Sequence, residues 1–178
     1  MSQSSVILLP DAGPLITLAY ADALDLLFKP GWSVQLVDMV WHEITRNQTP
    51  TSEKIHQWVS LHSLPILSTR IFRQYSEALA KGDAKFKKSN LGELSIQEIM
   101  NGFALAETHP NGVFLFEDHK IARASFLLPD TCRKVSTRAY LLFLERRGLL
   151  GDGQTAASVE QAAIRNGRNF SQLRFPPG

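Results

Sequence analysis

The sequence predicts a three-layer α/β fold in which a central, mostly parallel sheet is flanked by helices. Short aliphatic runs of the length of buried strands recur along the chain, and they alternate with longer segments whose apolar residues have helical spacing. Strands that alternate with helices favour a parallel sheet covered on both faces. The expected strands cover residues 6–9, 34–37, 64–67, 113–116 and 132–135.

The helical segments are bounded by glycine, proline and polar residues, which end helices. The expected helices cover residues 15–28, 39–46, 52–61, 69–79, 91–107, 119–126, 136–147 and 155–166. The polar, basic segment 81–89 and the tail 169–178 are expected to be irregular. With no repeat or linker, we expect one domain over residues 1–178. Its core is expected over about 5–150, with a C-terminal helical extension and tail over 151–178.

Composition and charge disfavour a disulfide-stabilised, a secreted or a membrane-spanning protein. A chain of 178 residues can bury a core without disulfides, and its single cysteine cannot form one internally. A net charge of +2 permits a nucleic-acid partner without demanding one. The first residues lack the positive charge of a signal peptide, and the apolar run 6–9 is too short to span a membrane. We therefore expect a cytoplasmic protein with no membrane partner.

Acidic residues follow several of the expected strands. Asp11 comes after the first strand, and Asp118 comes after the fourth, with Glu117 between the strand and Asp118. Glu43 lies early in the helix that leaves the second strand, and Glu93 opens the helix at 91, which makes four acids at this edge. Ligands of open parallel sheets bind at the carboxyl ends of the strands, so these side chains can share one crevice. Clustered carboxylates repel one another unless cations hold them, and Mg²⁺ and Mn²⁺ prefer oxygen ligands. The pattern therefore indicates a divalent-cation site suited to phosphodiester cleavage.

Each acid also has an ordinary structural explanation. Asp11 and Asp118 are both suited to cap the helices that follow them. Residues 90–93 have the spacing of a capping box, with Asn90 in place of serine or threonine. Glu43 can be an exposed helix residue. The coincidence of all four acids at the expected edge is what favours the cation site.

The segments that carry these acids resemble, in their order along the chain, those of the PIN-domain ribonuclease family. The resemblance continues through 135–150 and leaves 64–89 uncovered, and the tail 167–171 (GRNFS) is similar to a toxin-like subgroup with extra C-terminal helices. The resembling segments are VILLPDAGPLI at 6–16, VWHEI at 40–44, NLGELS at 90–95 and FLFEDHKIAR at 114–123.

The resemblance implies a PIN-like fold and a Mg²⁺- or Mn²⁺-dependent endoribonuclease that cuts RNA. Asp11, Glu43, Glu93 and Asp118 fall at the positions of the family's catalytic, metal-binding acids, and Glu117 is implied as an auxiliary metal ligand. Many relatives are the toxin of a toxin–antitoxin pair, silenced by a small antitoxin protein that inserts residues into the acidic site, and a homodimer is also a family expectation. One departure is Gly13, because many members have serine or threonine two residues after the first aspartate.

Basic residues near the acids are candidates for RNA binding, because an acidic site needs cations at its rim to tolerate phosphates. A solvated helix face or a lysine-rich loop explains the same residues without RNA. The candidates are Arg123, Lys120, Arg138, Lys87 and Lys88.

Two other functions compete with a nuclease. A non-catalytic PIN-fold module that binds RNA or a protein would be favoured by the loss of an acid, and none is lost. A phosphatase of the haloacid-dehalogenase type would need a second aspartate where Gly13 stands, which disfavours it.

Overall fold

The computed structural model of the chain describes residues 5–86, 89–117 and 127–169. The helix expected over 119–126 lies outside these ranges. The strands are β1 (Val6–Pro10), β2 (Ser33–Val34), β3 (Leu36–Val37), β4 (Ile66–Leu67), β5 (Asn111–Phe116) and β6 (Cys132–Ser136). The α-helices are α1 (Ala12–Tyr20), α2 (Asp38–Thr45), α3 (Pro50–Leu61), α4 (Arg70–Ala80), α5 (Leu91–Phe103), α6 (Thr137–Arg146) and α7 (Ala156–Arg165), and a 3₁₀-helix covers Leu24–Phe28.

The central sheet has four strands in the order β2-β1-β5-β6, and every neighbouring pair is parallel. The seven α-helices of the described ranges flank it. The predicted α/β class is therefore confirmed, and the arrangement is consistent with a PIN-like three-layer fold. Because the strands are parallel, the carboxyl ends of β1 and β5 lie side by side, with Pro10 opposite Leu115.

The two central strands are apolar because both of their faces are covered. Leu8, Leu9 and Leu115 are fully buried, and Phe114 is nearly so. Tyr140 of α6 joins this core and donates a hydrogen bond of 2.8 Å from its hydroxyl to the Leu26 carbonyl. Among the described helices, none combines the length and the apolar character that crossing a membrane requires.

Three sequence-based boundaries were wrong. The strand expected over 34–37 is divided at Gln35, because β2 pairs with β1 in the central sheet while β3 pairs with β4 in a separate two-stranded sheet. The helix expected over 15–28 ends at Tyr20, and Asp22 has a left-handed φ of 52° before the 3₁₀-helix begins. The helix expected to reach residue 107 ends at Phe103.

The C-terminal extension contains a helix close to the one predicted. Helix α7 begins after a capping box in which Thr155 and Ser158 exchange hydrogen bonds. It packs against α1 and α6, and Asn166 at its end donates a hydrogen bond of 2.6 Å from Nδ2 to the carbonyl of Tyr20 at the end of α1. The extension therefore contacts the helix that begins immediately after Asp11.

Candidate active site

Asp11 lies where β1 gives way to α1. Its backbone N–H donates to the Leu115 carbonyl at 2.9 Å, which carries the β1–β5 pairing one residue beyond the strand. Asp11 occupies the N-cap position of α1, but its side chain makes no capping hydrogen bond within the described residues, so the capping explanation is not supported.

The carboxyl of Asp11 is in an environment that disfavours its charge. The residue is half-buried, and desolvation by the surrounding protein raises its pKa from 3.8 to about 7. The backbone N–H of Ala12 opposes this shift, while the negative charges of Glu43, Glu93 and Glu117 add to it. The three glutamates are therefore close enough to Asp11 to interact with it electrostatically.

Gly92, in the first turn of α5, lies beside both Asp11 and Glu43. A methyl group added to its Cα would lie 3.2 Å from Oδ1 of Asp11 and 3.1 Å from Oε2 of Glu43. The Gly92 N–H also hydrogen-bonds to the Glu43 carboxylate, as suits the positive end of a helix dipole. Glycine thus lets helix α5 approach both carboxylates closely.

Glu43 is a half-buried residue of α2 and not the exposed helix residue of the ordinary explanation. Burial raises the pKa of its carboxyl, and this is opposed by the positive charge of Arg46 and by the hydrogen bond from Gly92. Arg46 therefore lies close enough to this carboxylate to stabilise its charged form.

Glu93 is also buried, with 6% of its surface exposed. It lies in the first turn of α5, directly after Gly92. Asn90, at the N-cap of this helix, has a left-handed φ of 59°, and in the described structure its side chain makes no capping hydrogen bond. The capping-box explanation for residues 90–93 is therefore not supported.

Glu117 follows β5 and has 8% of its side chain exposed. Its Oε2 accepts a hydrogen bond of 2.9 Å from the Thr17 hydroxyl and one of 2.7 Å from Nη2 of Arg168. Its Oε1 is buried and has no hydrogen-bond partner among the described residues. Gly13 allows this approach, since a methyl group there would lie 3.1 Å from the Glu117 Cβ.

Most of the predicted RNA-binding residues lie outside the described ranges. Asp118, the fourth predicted acid, lies outside the described residues, as do the cations Lys87, Lys88, Lys120 and Arg123. Arg138 is described on α6, where its Nε lies 4.0 Å from Oε1 of Glu160. It therefore has an acidic neighbour, and its proposed contact with RNA stays a prediction.

Thr17 and Arg168 also belong to the site, although neither was predicted from the sequence. Thr17 is a fully buried polar residue in an otherwise apolar stretch of α1, and that was the one signal available for it. Arg168 donates from Nε to the Thr17 hydroxyl at 2.8 Å across 151 positions of sequence. No local pattern in one sequence indicates such a contact.

The acids of the site fit a divalent cation in their chemistry more than in their described arrangement. In the ranges described, which exclude Asp118, no three acidic, histidine or cysteine side chains are arranged so that they could hold a metal ion. The chemistry of Asp11, Glu43, Glu93 and Glu117 nevertheless fits a hard cation, because all four supply carboxylate oxygens. The raised pKa of Asp11 means that its charged form is disfavoured in the metal-free site, and the unpartnered Oε1 of Glu117 leaves a buried acceptor that a ligand can engage.

The chain was compared with known proteins at the level of families, sequences and structures. It matches no protein-family model, no curated protein and no solved structure.

Proposed function

We propose that the protein is a divalent-metal-dependent endoribonuclease that hydrolyses RNA phosphodiester bonds with Mg²⁺ or Mn²⁺. The observation that carries the proposal is the approach of the Asp11 and Glu43 carboxylates to the same point beside Gly92. Two acids held this closely, with further acids near them, are unfavourable in an isolated protein and favourable around a cation.

The residues that would hold the cation are the acids of the site. Three carboxylates come from different helices: Asp11 at the N-cap of α1, Glu43 in α2 and Glu93 in α5. Glu117 would contribute its unpartnered Oε1. Asp118 is included because it directly follows Glu117 in the sequence. When bound, the cation neutralises negative charge on the phosphate and makes water a stronger nucleophile.

Positive groups around the acids would bind the RNA backbone. Arg46 is close enough to Glu43 to stabilise its charged form, so it brings a cation to the rim of the site. Lys87 and Lys88 precede α5, Lys120 and Arg123 follow Asp118 in sequence, and Arg138 belongs to α6. Their proposed role is to offset the repulsion between phosphates and the acidic site.

The resemblance to toxin-like PIN ribonucleases supplies the rest of the proposal. It suggests a small antitoxin protein that covers the acidic site, and a homodimer. We also propose a cytoplasmic location, because the single cysteine gives no indication of an oxidising compartment. The alternative function is a non-catalytic module that binds RNA or a protein with the same fold. The two functions differ in whether the acids bind metal and cut RNA.

Cleavage of a mixed pool of small RNAs tests the proposal. The purified protein is incubated with Mn²⁺, Mg²⁺ or EDTA, beside Asp11→Asn, Glu43→Gln and the control Asp152→Asn, which changes an exposed loop residue. We expect metal-dependent cutting that the first two substitutions abolish and the control retains. A wild-type protein that neither binds Mn²⁺ nor cuts, and whose variants behave identically, would favour the binding module.

A further inference from the structure

We propose that Arg168 is a positioning residue of the metal centre, through which the C-terminal extension holds Glu117 ready to bind the cation. Together with Thr17 it engages Oε2 of Glu117 and leaves Oε1 to act as a ligand. This inference rests on the proposed function, because it requires that the acidic site binds a divalent cation.

The segment that follows α7 places Arg168 beside Thr17 and Glu117. The chain turns at Gly167, whose φ of 107° lies in the region that favours glycine. The Arg168 N–H then donates to the Ala163 carbonyl at 2.9 Å, and Asn166 is bonded to the carbonyl of Tyr20. The backbone on both sides of Gly167 is thereby fixed, so the Arg168 side chain begins from a defined place beside α1.

The guanidinium of Arg168 makes two different contacts at once. Its Nη2 donates to Oε2 of Glu117 at 2.7 Å, while its Nε donates to the Thr17 hydroxyl at 2.8 Å, and that hydroxyl donates to the same Oε2 at 2.9 Å. A planar group with several fixed donors is suited to such bridging, and a lysine ammonium is not. The three contacts fix the rotation of the Glu117 carboxylate.

The second carboxylate oxygen of Glu117, Oε1, is the atom that can bind a cation. Oε1 of Glu117 is buried and has no hydrogen-bond partner in the described part of the chain. A buried acceptor without a partner is unfavourable unless a ligand supplies the missing interaction. Because Glu117 also interacts electrostatically with Asp11, the missing partner fits a cation shared by the same acidic cluster.

An ion pair that only attaches the extension to the core would have the same contacts, so the test must measure metal binding apart from RNA cutting. The test is therefore a titration of the metal-free protein with Mn²⁺, in which isothermal titration calorimetry measures the Mn²⁺ affinity. Residues that orient metal ligands typically change metal affinity by about 10–100-fold when they are replaced. We expect Arg168→Met to weaken Mn²⁺ binding by about tenfold, and Arg168→Lys to be intermediate.

Two further variants make the result specific. Arg165→Met removes the same charge from the exposed last residue of α7, three positions before Arg168, and should bind Mn²⁺ like the wild type. Glu117→Gln should weaken Mn²⁺ binding as much as Arg168→Met or more. The double variant should be no weaker than Glu117→Gln alone, because both changes remove the same ligand.

The outcomes separate this inference from the proposed function. If Arg168→Met folds and binds Mn²⁺ as tightly as the wild type, Arg168 is a structural residue and the inference is wrong, while the metal centre stands. If Arg168→Met does not fold, the other two variants decide. The inference is wrong if Arg168→Lys and Glu117→Gln both bind Mn²⁺ as tightly as the wild type. If the wild type itself binds no Mn²⁺, the proposed function and the inference both fall.

Discussion

Gly92 and Asp11 approach so closely that a methyl group on the Cα of Gly92 would lie 3.2 Å from Oδ1 of Asp11. Most Cβ atoms have more distant neighbours, so a larger residue at position 92 would have to displace the carboxylate. The same methyl group would lie 3.1 Å from Oε2 of Glu43, and the Gly92 N–H donates to the Glu43 carboxylate. The spacing of the two acids therefore depends on glycine in the first turn of α5.

Gly92→Ala should damage the site while leaving the fold intact. The added methyl group displaces Asp11 and Glu43, and we expect at least a tenfold loss of Mn²⁺ affinity and of RNA cleavage. Alanine favours a helix by about 1 kcal/mol over glycine, which offsets the crowding in the free energy of unfolding. Urea unfolding and calorimetry measure the two effects separately.

Gly102→Ala is the matched control for this substitution. It lies in the same helix, and a methyl group there meets nothing within 4 Å. It should raise the free energy of unfolding and leave Mn²⁺ binding and cleavage unchanged. If Gly92→Ala binds Mn²⁺ and cuts RNA as well as Gly102→Ala does, the close approach of the acids to Gly92 is not needed for metal binding or cleavage.

The raised pKa of Asp11 makes the stability of the metal-free protein depend on pH. Its pKa is 3.8 ordinarily and about 7 in the folded protein, so the folded state binds the proton more tightly than the unfolded state does. The contribution of Asp11 is fully present below pH 3.8 and is lost as the pH rises through about 7. The slope for one such proton is at most about 1.4 kcal/mol per pH unit.

Urea unfolding in EDTA between pH 4.5 and 7.5 measures this contribution, and Asp11→Asn isolates it from other titrating groups. The stability of the wild type relative to Asp11→Asn should fall as the pH rises. Saturating Mn²⁺ should restore the wild type at pH 7.5 and have little effect on the variant. A difference between the two proteins that is constant across the pH range contradicts the assigned environment of Asp11.

The sequence was sufficient for the fold class and for one part of the site. The alternation of strands and helices predicted the parallel sheet, and the rule that ligands bind at the carboxyl ends of strands singled out Asp11 and Asp118. Asp11 lies at the end of β1 as expected, whereas Asp118 lies outside the described residues. Asp11 and Glu43 both lie close to Gly92, which has no side chain to displace them, and a single sequence does not reveal this contact.

Other features depended on contacts between distant parts of the chain. The segment 34–37 reads as one strand, but its two halves pair with different strands, β1 and β4. The contact of Arg168 with Thr17 depends on how α7 packs against α1, which helical periodicity does not define. Periodicity predicts which residues are buried within an element and not which element covers them.

Tyr140→Phe should lower stability without affecting the site. The Tyr140 hydroxyl is buried and donates to the Leu26 carbonyl at 2.8 Å, and burial raises the pKa of this phenol. Removing it takes one hydrogen bond from a carbonyl that also accepts from Lys29 N–H. We expect a loss of about 1 kcal/mol in the free energy of unfolding, with unchanged Mn²⁺ affinity. A change in Mn²⁺ affinity would mean that α6 and the site are coupled.

Thr17→Val tests whether the buried hydroxyl, rather than packing, holds Glu117. Valine has nearly the same shape but can neither donate to Oε2 of Glu117 nor accept from Nε of Arg168. We expect a loss of about 1–3 kcal/mol in the free energy of unfolding and weaker Mn²⁺ binding, because buried polar groups lose their partners. Thr17→Ser, which keeps the hydroxyl and removes only a methyl group, should retain most of the Mn²⁺ affinity. If serine and valine weaken Mn²⁺ binding equally, the methyl group is responsible and the hydrogen bonds to Glu117 are not.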